Sequence, residues 1–113
     1  RRGRAVKALV TGANGFLGSA IVRALRKRGD EVLAGTRRPA PELQQLGARI
    51  VQLDLSDREA LRHAFKGVDC VFHVAAKTGV WGPRAEYVAS NVTGTENVIA
   101  ACEVRRVRKL VFT

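Results

Sequence analysis

Methionine is missing from this sequence altogether, position 1 included. A chain without an initiator residue reads as a piece of a longer gene product. Cysteine is scarce: Cys70 and Cys102 both fall inside apolar patterns. They read as buried free thiols in a reducing compartment, which sets aside a disulfide framework, and neither histidine stands at ligand spacing for a metal. No uncharged apolar run approaches the ~20 residues that a membrane span needs. The basic start, Arg1-Arg2-Gly3-Arg4, leads into a strand-like segment and not a signal-peptide cleavage pattern. These absences point to a cytoplasmic protein. Acidic residues are few, 10 against 20 basic ones, for a net charge of +10. Such a charge invites a nucleic-acid reading. The basic residues are spread along the chain, however, and the densest cluster, Arg105-Arg106-Val107-Arg108-Lys109, carries no interleaved aromatic. A solvated basic surface is the better reading, and no nucleic-acid partner is expected.

What is present is regular alternation. Hydrophobic residues make up 46% of the chain, which excludes a disordered tail and suits one domain with a modest core. Strands are expected at Val6–Thr11, Glu31–Thr36, Arg49–Leu53, Cys70–Ala75 and from Leu110 to Thr113. Between them the spacing predicts helices. The first runs over Phe16–Arg28, with Leu17, Ala20, Ile21, Ala24 and Leu25 on its inner face and Gly29 ending it. The second covers Pro41–Leu46. A capping box at Ser56-Asp57-Arg58-Glu59 opens a third, which runs to Lys66. The last spans Ala85–Glu103, with Val88, Val92, Thr95, Val98, Ile99 and Cys102 facing inward. Strands alternating with helices over short connections imply an α/β fold, a doubly wound parallel sheet covered on both faces. Residues 1–113 read as one domain, incomplete and cut in its fifth strand.

The first strand runs straight into Thr11-Gly12-Ala13-Asn14-Gly15-Phe16-Leu17-Gly18, with glycines spaced G-x-x-G-x-x-G. Gly12 permits the turn, Gly15 lets the backbone approach a pyrophosphate, and Gly18 lets the helix pack closely on the sheet. The helix N-terminus adds free N–H groups and the positive end of a dipole. Glycine turns are common, but this one follows a strand and opens an amphipathic helix, the context that a dinucleotide site requires. After the second strand, about 20 residues past the glycines, an NAD enzyme places an acid for the ribose 2′-hydroxyl. Here Gly35, Thr36, Arg37 and Arg38 supply none. Arg37 and Arg38 suit a 2′-phosphate in charge and fork geometry, so NADP is the expected cofactor and NAD the alternative.

The loop Thr-Gly-x-x-Gly-Phe-x-Gly resembles that of the extended short-chain dehydrogenase/reductase superfamily, the NAD-dependent epimerase/dehydratase type. Three further segments match in the right order: Asp54-Leu55, His73-Val74-Ala75-Ala76, and Asn91-Val92-Thr93-Gly94-Thr95-Glu96-Asn97-Val98. Ala75-Ala76-Lys77-Thr78-Gly79-Val80-Trp81-Gly82 resembles the 3β-hydroxysteroid dehydrogenase-like branch, with its 2-alkyl-3-oxoalkanoate reductases. The resemblance implies a Rossmann-like sheet, and an oxidoreductase moving hydride to or from a secondary alcohol or ketone of a small molecule, with a homodimer as an assembly to consider. It gives Asn14, Phe16 and Leu17 to the cofactor with the glycines, and Asp54 and Leu55 to the adenine. Ala75 and Ala76 would line the cofactor. Asn91 becomes a catalytic residue whose backbone holds a water in the proton relay.

Each assignment has a plainer rival. Asp54 could end a strand or serve the next helix's N-terminus. His73 could be a packed, hydrogen-bonded core histidine without a catalytic role. Lys77 fits a surface charge as well as the cofactor phosphates, and Trp81 a sheet cover as well as a pocket wall. The family's Tyr-x-x-x-Lys does not occur: the one tyrosine, Tyr87, is followed four residues later by Asn91. The piece is therefore expected to carry the cofactor side alone and to lack reductase activity. A nucleotide-sugar epimerase and a non-catalytic NADP sensor on the same fold are the rival functions.

Overall fold

The computed structural model describes residues 6–74 and 84–113, with side chains from residue 92 onward in the second stretch. Five strands, β1 (Lys7–Thr11), β2 (Glu31–Thr36), β3 (Arg49–Gln52), β4 (Cys70–His73) and β5 (Lys109–Phe112), form one parallel sheet in the order β3-β2-β1-β4-β5. Helices α1 (Phe16–Lys27), α2 (Pro41–Gln45), α3 (Arg58–Ala64) and α4 (Arg84–Arg105) connect them. Strand order reverses at β1, which puts the topological switch point at the carboxyl ends of β1 and β4, the place where doubly wound sheets bind ligands. Register places Thr11 opposite both Gly35 and His73 at that edge.

Side chains that alternate along each strand feed two separate cores. Ala8, Val10, Val32 and Ala34 join Val22, Leu25 and Leu43 beneath α1 and α2. Leu9, Leu33 and Val71 join Leu61, Phe65, Val98 and Ala101 beneath α3 and α4.

Two inner faces differ from expectation. On α1 the buried line is Gly18, Val22 and Leu25, while Leu17 is 46% exposed and Ala20 and Ala24 also face out. On α4 it is Gly94, Asn97, Val98, Ala101 and Cys102, while Val92 is 51% exposed and Ile99 37%. In both helices a glycine marks the line of closest approach, and the helix turns that line inward at the expense of bulkier apolar residues. The third helix also starts differently. Asp57, not Ser56, is its N-cap, accepting from the Ala60 N–H at 3.1 Å. Ser56 is occupied with Asp54.

Candidate cofactor site

The glycine loop leaves β1 through Gly12, whose φ of +61° is left-handed backbone that suits glycine. The Gly15 N–H bonds back to the Gly12 carbonyl at 3.1 Å, and the Ala13 N–H reaches the Gly35 carbonyl at 3.1 Å, pinning the loop to β2. A Cβ on Gly18 would stand 2.1 Å from the Gly12 oxygen and 2.9 Å from the Ala13 Cα. Gly18 thus makes room for the loop's own backbone, where the sequence suggested the sheet. Beside Gly15 the nearest atom to an added Cβ is the Gly12 oxygen at 3.5 Å, so its outer side is open. Gly15 caps α1 without a side-chain hydrogen bond, and the first turn holds no acid. The N–H groups of that turn have no partner within the helix and face an exposed surface formed by Asn14, Gly15, Phe16 and Leu17. Free donors, a positive dipole end and an open glycine fit a pyrophosphate.

Arg37 and Arg38 follow β2 and are exposed. They flank an open groove of about 360 Å³ whose walls include Thr36, Gln44, Ile50 and Gln52. The Thr36 hydroxyl donates to the Arg38 carbonyl, which folds the arginine turn back onto its own strand.

Asp54 lies past β3 at the same edge. Its Oδ1 accepts from the Ser56 N–H at 3.0 Å and the Ser56 hydroxyl at 2.8 Å. Those two bonds, the backbone one foremost, hold its carboxyl below the usual carboxylate range, and the Arg37 charge adds to them. Asp54 therefore does not cap the following helix. Leu55 packs against α4. A Cβ on Gly94 would stand 3.2 Å from the Leu55 Cβ, and Asn97 Nδ2 donates to the Leu55 carbonyl at 2.9 Å.

His73 is 3% exposed and has partners on both ring nitrogens. Nδ1 lies 2.9 Å from Thr11 Oγ1 and Nε2 3.0 Å from Thr95 Oγ1. Thr11 Oγ1 already accepts from the Val74 N–H. Satisfying every group gives a directed chain: Thr11 donates to Nδ1, and Nε2–H donates to Thr95. Burial lowers the His73 pKa, so the ring that joins β1 to α4 is neutral at neutral pH. This is the packed histidine of the plainer reading, and the carbonyl of the next residue, Val74, lies 3.3 Å from where a Gly12 Cβ would stand.

Sequence reasoning missed Gly35, Gly94, Thr95 and Asn97 as groups that place these segments. Asn97 is absent from the inner face expected for this helix; its recurrence at helical spacing with Gly94, Val98 and Ala101 is the available signal. Asn91 lies on α4, its side chain outside the described set. Ala75, Ala76, Lys77 and Trp81 fall outside the described residues. Among the described residues no helix is long and apolar enough to cross a membrane, and none group to hold a metal ion.

The model of the NAD dependent epimerase/dehydratase family matches residues 8–113. The chain belongs to that family. Within this epimerase/dehydratase family it is 50% identical, over 108 residues, to a 2-alkyl-3-oxoalkanoate reductase of Stenotrophomonas maltophilia, covering 96% of this chain and 33% of that one. It is 32% identical over 114 residues to a 3-beta-hydroxysteroid dehydrogenase of Mycolicibacterium neoaurum, covering 95% of this chain and 31% of the relative. A short-chain dehydrogenase/reductase superfamily protein from Agrobacterium tumefaciens, solved with bound NAD, superposes with a TM-score of 0.80 at 37% identity, over 94% of this chain and 31% of its own. The chain spans about a third of the length of these family members.

Proposed function

We propose that the protein carrying this chain is an NADP-dependent oxidoreductase acting on a secondary alcohol or ketone, such as a 2-alkyl-3-oxo acid or a 3β-hydroxysteroid. The observation that carries the reading is the open α1 N-terminus behind Gly12 and Gly15, with Arg37 and Arg38 at the next strand end. When bound, the dinucleotide supplies hydride chemistry at its nicotinamide. The residues present would divide its binding. First-turn N–H groups would hold the pyrophosphate, Arg37 and Arg38 the 2′-phosphate, and Asp54 and Leu55 the adenine. Ala75, Ala76 and Lys77 are assigned to the cofactor by sequence alone. Asn91 would place a water for proton transfer, while the acid/base tyrosine and its lysine would come from beyond residue 113. The name and 50% identity of the 2-alkyl-3-oxoalkanoate reductase support the substrate class. The proposal puts the protein in the cytoplasm, with a homodimer to be sought by light scattering.

The test is a substrate panel of 2-alkyl-3-oxo acids, hydroxysteroids, dihydroflavonols and UDP-sugars given to the full-length protein, with net NADPH consumption followed. Consumption with the first two groups is expected. Turnover of UDP-sugars alone, without net consumption, is the outcome for an epimerase that regenerates a retained NAD.

A further inference from the structure

We propose that Asn97 and Ser56 are positioning residues that set the Asp54 carboxylate as a reader of the purine 6-amino group. The proposal rests on the reading that Asp54 meets the adenine, and it adds what makes that carboxylate selective.

The geometry runs through one peptide unit. The Leu55 carbonyl and the Ser56 N–H belong to the same planar amide. Asn97 Nδ2 holds the carbonyl end at 2.9 Å, and Asp54 Oδ1 takes the N–H end at 3.0 Å. A plane fixed at one end by a helix cannot rotate without breaking the bond at the other. The anchor is firm, because Asn97 is 9% exposed on the inner line of α4 and Gly94, one turn earlier, brings the helix backbone against Leu55. The Ser56 hydroxyl supplies a second bond to the same Oδ1 at 2.8 Å. Both local donors thus fall on Oδ1, and among the described residues none reaches Oδ2. Asp54 itself is exposed at the carboxyl edge of the sheet. The result is a carboxylate with one oxygen committed, the other free, and a fixed orientation. An ionised carboxylate only accepts. It favours a base that presents an amino group and disfavours one that presents a carbonyl. Adenine and hypoxanthine differ in this respect at C6.

The experiment uses the full-length protein and titrates the wild type's preferred dinucleotide against its hypoxanthine analogue. A hydrogen bond to a charged group discriminates by roughly tenfold or more. The wild type is expected to favour adenine by at least about tenfold, and Asp54→Ala to bring the ratio near one. Asn97→Ala and Ser56→Ala should each shrink the base ratio by about threefold or more, while leaving the ratio of NADP to NAD affinities at its wild-type value. Ser56 is exposed, so its variant keeps the test open if Asn97→Ala does not fold. A variant that weakens every dinucleotide equally, with the base ratio unmoved, overturns the positioning role while the Asp54 reading stands. A wild type that does not distinguish the two bases overturns both.

Discussion

Gly18 and Gly12 stand so close that a methyl group on the first would sit 2.1 Å from the carbonyl oxygen of the second. Gly15, midway between them, has no such neighbour: an added Cβ meets nothing nearer than 3.5 Å, and its φ of −81° suits any residue. The two glycines should therefore fail differently. Gly18→Ala must push the loop off the helix and is expected to cost about 1–3 kcal/mol of stability, read by urea unfolding. Gly15→Val should unfold like the wild type yet bind no dinucleotide by calorimetry. Unchanged affinity in that variant would remove the loop from the cofactor site.

Arg37→Asp places a carboxylate beside the groove proposed for the 2′-phosphate and takes away a charge that reaches Asp54. Loss of one charge-assisted bond predicts at least about a tenfold weaker NADP affinity, with NAD gaining in relative terms. Fluorescence titration of both dinucleotides checks it. A wild type that prefers NAD would show the arginines to be surface charges.

Element boundaries were legible to within about two residues because glycine and proline punctuate the chain. Gly29 and Gly47 each take positive φ beyond a helix end, and Pro41 opens α2. The glycine loop and the strand ends beside it were legible for the same reason. Helix faces were not. A count of apolar residues favoured Leu17 and Ala20 on α1 and Val92 and Ile99 on α4, all of which face outward. The decisive quantity was backbone approach. Gly18 and Gly94 mark the lines pressed hardest against Gly12 and Leu55, and an apolar count gives glycine no weight. The His73 bridge was hidden too, since it joins threonines 62 and 22 residues away.

His73 links pH to stability. Its folded pKa lies below the unfolded value of 6.5 because burial disfavours the charged ring. The unfolded chain then binds more protons between those two values, so stability is full above about pH 6.5 and is lost as pH falls toward the folded pKa. Urea midpoints measured from pH 7.5 to 5.5 should fall more steeply for the wild type than for His73→Gln, which has no ring to protonate. Parallel slopes would mean that the ring takes up its proton as readily folded as unfolded.

Asp57→Ala removes the side-chain acceptor from the start of α3. Loss of an N-cap typically costs about 1 kcal/mol. The expected signature is a lower urea midpoint with unchanged dinucleotide affinity, because Asp57 makes no bond to Asp54 through its side chain. Ser56→Ala should show the reverse pattern, an unchanged midpoint and an altered base preference.

The sheet divides the molecule into two cores, and the proposed adenosine site straddles the division. Thr36, Ile50 and Gln52 line the groove on the side of α1 and α2, next to Arg37 and Arg38. Leu53 and Leu55 belong to the opposite core, where Asn97 of α4 holds the segment next to Asp54. The proposed recognition of the ribose substituent and that of the base thus rest on separate packing compartments with a wall of backbone between them. Such a layout separates the two mechanically and leaves them joined by charge: the arginine turn can be rebuilt while Asn97 keeps its hold on the Leu55 carbonyl, and only the pull of Arg37 on Asp54 is lost.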